Sequence, residues 1–138
     1  MTSIRKWLAA SGLALLAACN PMEELEDADR EVARFHRQLD ARDFEGIWNA
    51  SHDKFRAGQP QADYAAFMVA VRDKLGEVEG TEREGFNINT NNGVTTITVA
   101  MSTEFAQGPA TETFIFLRDG EDLRLLNYNV DSRALVVN

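Results

Sequence analysis

The chain has 138 residues, 44% hydrophobic and 26% charged, with 22 acidic against 14 basic side chains and a formal net charge of −8. Nucleic-acid binding needs Lys and Arg to neutralise phosphate, so this balance excludes it as a main activity, and charge-driven adsorption to anionic lipid with it. One cysteine excludes an intramolecular disulfide, and no repeat or low-complexity tract divides the chain.

The amino terminus reads as a targeting signal. Arg5 and Lys6 precede an uncharged run from Trp7 to Ala18. A lasting bilayer span needs about 20 apolar residues, so the run is too short for one and fits the apolar stretch of a secretory signal. Its end, Leu16-Ala17-Ala18-Cys19, resembles the lipobox of bacterial lipoproteins. The resemblance implies removal of residues 1–18, lipid attachment at Cys19, and a single domain over 19–138. Two or more acyl chains anchor stably, at about 0.8 kcal/mol per buried methylene. Membrane contact would then be through lipid alone, with the domain facing the periplasm. Asn20 departs from the aspartate that holds lipoproteins of enteric bacteria in the inner membrane, which favours the outer one. Loss of Arg5 and Lys6 takes the charge from −8 to −10.

A helical pattern starts directly after Asn20-Pro21. Leu25, Ala28, Val32, Phe35 and Leu39 form one stripe at spacings of three and four. Glu23, Glu24, Glu26 and Asp27 lie in its first turns and Arg34 and Arg37 later, the order the helix dipole favours. A short second helix is predicted in "RDFEGIWN", N-capped by Asp43. Gly58 and Pro60 then break the chain. Asp63 is expected to cap a third helix through Tyr64, Phe67, Val71 and Leu75, stopped by Gly76.

Beyond Gly76 the period becomes two. Ile97, Val99, Met101 and Phe105 alternate with polar or small residues, and "NNG" (91–93) turns this strand back on one through Phe86 and Ile88. "QGPA" (107–110) is expected to break the chain before a strand over Thr111–Leu117, and "DG" (119–120) leads into Leu123–Val130. Helices followed by a four-stranded antiparallel meander make an α+β domain. Phe114 and Phe116 lie on one face of their strand, which either packs on the helices or meets another copy; the pattern leaves this choice and the oligomeric state open.

This order resembles the cystatin-like, or nuclear-transport-factor-two-like, fold, in which helices pack on a bent four-stranded sheet to form a cone. "ARDFEGIWNASHDKFR", "VRDKLGEVEG" and "TEFAQGPATETFIFLRDGEDLRLLNYNVDS" are similar to small uncharacterised bacterial lipoproteins of that fold, over roughly residues 24–136. The resemblance implies an architecture and a concave pocket, and carries no activity.

Catalytic motifs are sparse. Ser51-His52-Asp53 are consecutive, so their side chains diverge and cannot form a relay; a loop or cap is the ordinary role. His36 and His52 are the only histidines, without metal-ligand spacing, and His36 fits the half-buried flank of a packed helix. The acidic run 23–31 lacks an EF-hand loop, and no glycine-rich phosphate loop occurs. No metal and no cofactor is expected. Trp48, Tyr64, Tyr128 and His52 are candidates to line a pocket, and Asp53 or His52 could act as base in a ketosteroid-isomerase-like site.

The expected function is a non-catalytic, lipid-anchored binding module for a basic periplasmic protein, one form being an inhibitor or immunity protein against an envelope-targeting toxin. Glu23, Glu24, Glu26 and Asp27 are its candidate partner-facing acids. A carrier of a small apolar ligand and an isomerase- or hydrolase-like enzyme are the alternatives.

Overall fold

The computed structural model describes residues 20–136. Residues 1–19, with the expected leader and the expected lipid attachment at Cys19, lie outside them. Helix α1 (Pro21–Asp40) begins where the Asn20 side chain accepts the Met22 N–H at 3.1 Å, with Pro21 in the first turn. Its buried stripe is the predicted one, widened by His36. Helix α2 (Phe44–Ala50) is capped by Asp43, which accepts the Gly46 N–H at 2.9 Å.

Two helical features differ from expectation. Five residues, Asp53–Ala57, form a further short helix α3, which has too few turns for a periodic signal; the His52 Nδ1 accepts the Lys54 N–H at its start. Helix α4 (Gln61–Leu75) begins straight after Pro60 with no side-chain cap. Asp63 therefore sits inside the first turn, where its charge meets the helix dipole instead of an N–H. Gly76, at φ +78°, stops α4 as predicted.

Strands β1 (Val78–Asn91), β2 (Val94–Phe105), β3 (Gly108–Asp119) and β4 (Asp122–Asp131) form an open antiparallel sheet in the order β1-β2-β3-β4, followed by the short α5 (Arg133–Val136). The break expected at "QGPA" is narrower than the four residues suggest. Ala106 and Gln107 make the turn, and Gly108 and Pro109 already pair with Phe105 and Glu104. Pro109 is tolerated there because β4 ends opposite Thr111, so its missing N–H faces no neighbouring strand.

Register shifts in β1 near Gly80 and Gly85, and at Ile115/Phe116 between β3 and β4, add local bends and twist. The helices cover one face of the sheet. Phe114 and Phe116 lie on it, fully buried, and pack with Phe35, Leu39, Ile47, Met68 and Leu125 in one core. They are core residues, not an exposed interface. The β4 edge is partly closed: Ser51 bridges Leu125 in parallel, and the His52 N–H donates to the Leu125 carbonyl at 2.8 Å.

Candidate functional site

The inner phase of β3 reads Ala110, Glu112, Phe114, Phe116, which places a carboxylate where the strand pattern calls for an apolar side chain. Glu112 is 0% exposed. Its neighbours come from three other elements. Thr103, diagonal to it on β2, donates to Oε1 at 2.5 Å, and the Tyr128 hydroxyl, from β4, donates to Oε2 at 2.6 Å. From α1, His36 Nε2 lies 2.8 Å from Oε1. Which of the two donates depends on the His36 tautomer.

Aromatic rings surround this cluster. Phe35 meets Phe114 edge-on at 5.0 Å and lies 4.5 Å from Tyr128, and His36 is edge-on to Phe105 and Phe114. Burial, first, and then the negative Glu112 and the hydrogen bond to it push the Tyr128 hydroxyl well above its ordinary pKa. His36 is thus buried and bonded to an acid, where the helical pattern suggested a half-buried flank.

The sequence-predicted pocket residues separate. Tyr128 belongs to the carboxylate cluster. Trp48 and Tyr64 meet in a second aromatic group with Phe55, beneath α2, α3 and α4. The Tyr64 hydroxyl is buried with no hydrogen-bond partner among the described residues, and burial raises its pKa. His52 stays outside both groups, at the start of α3. Asp53 is exposed and paired with Arg56. Glu112, Thr103 and His36 were missed; the visible signal was a glutamate in the buried phase of "ATETFIFL".

The four acids of the first helical turns also separate. Glu23 and Glu26 are exposed. Glu24 and Asp27 turn towards the sheet and share Arg118 of β3, at 2.5 and 2.8 Å. A groove of about 240 Å³ opens beside this pair, lined among others by Arg30, Glu31, Arg34 and Arg124. Its arginines are matched by carboxylates: Arg30 by Asp27, Arg34 by Glu31, Arg124 by Asp122. Burial leads the causes that raise the Glu31 pKa, against the lowering effect of Arg34.

A general base must reach a substrate proton within about 2.6–3.2 Å. Both Glu112 oxygens are instead engaged by internal donors, and Thr103, His36 and Tyr128 are at most 6% exposed. The opening lined by Phe35, Ile47, Phe116 and Leu125 measures about 20 Å³, and the larger ones, of about 400 and 610 Å³, lie between α1 and β1 and beside Arg133 and Ala134. Ligand pockets run to about 300–1,000 Å³. Among the described residues no group of three His, Cys, Asp or Glu side chains is placed to hold a metal, and no helix is long and apolar enough to cross a membrane. As arranged, the cluster ties α1, β2, β3 and β4 together.

No family model and no curated protein matches the chain. Among solved structures 27 chains match. One, the Bdellovibrio bacteriovorus protein Bd1075, superposes with a TM-score of 0.51 at 12% identity, over 79% of this chain and 41% of that one. The chain spans less than half the length of that protein, and likeness at this identity concerns the fold alone.

Proposed function

We propose that the protein is a lipid-anchored, non-catalytic module that binds a basic protein on the periplasmic side of the outer membrane, as an inhibitor or immunity protein would. One observation carries this reading: the acid–base cluster inside the fold is sealed and internally satisfied, so its chemistry is spent on holding the fold. An isomerase-like site needs a carboxylate that meets substrate, and an apolar-ligand carrier needs an empty cone; the filled aromatic interior favours neither.

The surface is where interaction energy is available. Exposed carboxylates are in excess, and a field of that sign speeds encounter with a basic partner. The lipobox-like "LAAC" supports the anchor, and the lack of aspartate after Cys19 supports the outer membrane.

The test is capture. The full-length lipoprotein, held in a non-ionic detergent, is exposed to an envelope fraction at low salt and eluted as salt rises. The expected result is a stoichiometric basic protein released by salt. Elution of no protein, or of a partner held equally at low and high salt, would overturn the reading.

A further inference from the structure

The sheet has two edges, and they are treated differently. The β4 edge is bridged by Ser51 and the His52 N–H. Among the described residues no strand lies beside the β1 edge. The two-residue turn Asn92-Gly93, both at positive φ, closes on Asn91 and Val94 as a hydrogen-bonded pair. Alternation then turns the backbone of Asn89 and Asn87 towards β2 and the N–H and C=O groups of Ile88 and Phe86 towards solvent. Register with Val99 puts the Phe86 side chain on the helix-facing side, yet it is 58% exposed. The Arg83 guanidinium lies 5.9 Å from its ring.

The other half of the same strand is acidic. Glu79, Glu82 and Glu84 are exposed and form no ion pair among the described residues, and Arg83 between them is taken by Asp29 at 2.7 Å. Charged side chains on an open edge prevent like edges from pairing. Here the charge is of one sign, so it blocks a second copy of this chain and leaves the edge open to a strand of opposite charge.

We propose that β1 receives an extended segment of a basic protein as a fifth strand. The incoming backbone bonds to Phe86 and Ile88, its Lys and Arg side chains meet Glu79, Glu82 and Glu84, and an apolar side chain covers Phe86. Main-chain bonds of this kind give affinity, and the flanking side chains select the occupant. The proposal rests on the protein-binding reading above and locates its site.

The test uses full-length lipoprotein in non-ionic detergent and two peptides of equal charge. One alternates Lys and Val; the other carries Pro at alternate positions and cannot pair as a strand. The first should bind more tightly and slow amide exchange at Phe86 and Ile88. Phe86→Pro removes an outward N–H without touching the β1–β2 ladder, and the double variant Glu82→Lys/Glu84→Lys reverses charge with the backbone intact. Each should weaken the first peptide by about tenfold or more. Equal binding of the two peptides, undiminished binding to the folded double variant, or protection elsewhere on the protein would overturn the edge site. If the partner captured from the envelope binds both variants as well as the parent protein, the edge site fails and the binding reading stands. If capture yields no protein, the binding reading itself fails.

Discussion

Glu112 is a carboxyl side chain in a place where an unpaired polar group is expensive, and its three hydrogen-bond partners explain why it can stay there. Removing one member of a buried ionic or hydrogen-bonded set leaves the others unsatisfied, which costs more than the set contributes by its presence. Glu112→Ala strands Thr103, Tyr128 and His36 together and should destabilise the protein by about 3 to 5 kcal/mol. Tyr128→Phe removes one bond to a charged acceptor and should cost about 1.5 to 3 kcal/mol. Tyr64→Phe should act in the opposite sense, since its buried hydroxyl has no partner among the described residues; a gain of about 1 kcal/mol is expected. Urea midpoints of the three variants check all three signs.

The two tyrosines also set an alkaline limit. Both have folded-state pKa values raised above the ordinary value of about 10. The fold therefore favours the protonated hydroxyl. That preference is fully present below pH about 10 and is lost as pH rises towards the folded-state values. Stability measured in urea should fall above pH about 10, and the double variant Tyr64→Phe/Tyr128→Phe should flatten the fall.

At the scale of elements, capping and turn chemistry account for most of the boundaries. Gly76 joins α4 to β1 in a conformation that side chains avoid, and a Cβ there would lie 2.9 Å from the Ala106 Cβ. Gly76→Ala should destabilise by about 1 to 2 kcal/mol from the backbone alone, and thermal unfolding of that variant would measure it. The same elements show what a sequence can reveal. The stripe of α1, the cap at Asp43, the "NNG" hairpin and the alternation of β2 are local signals, and the structure carries them as read. Helix α3 and the first half of β1 had none. The one is too short for a period, and the other, "VEGTERE", lacks alternation because its edge position leaves both faces largely exposed. The candidate site was legible in part. Tyr128 was expected to line a pocket and stands instead in the packed core, where its link to Glu112, His36 and Thr103 depends on register across three strands and on the seat of α1. Trp48 and Tyr64 belong to a different cluster because they sit on α2 and α4, which meet around Phe55 of α3.

At the scale of the molecule, the interior and the surface do different jobs. The interior is filled with Phe35, Phe105, Phe114, Phe116 and Tyr128 around a satisfied carboxylate, while the excess negative charge lies outside. On the proposed reading, binding is steered by that external charge and the buried cluster only supports the fold. The measurement that tests it most directly is the association rate with the captured basic partner as a function of salt, for the parent protein and for Thr103→Val. That substitution removes a buried hydroxyl shared by Glu112 and Thr81 and leaves every surface charge in place. A rate that falls steeply as salt rises and is the same for both proteins is expected. A rate indifferent to salt, or one lost in the folded Thr103→Val variant, would contradict it.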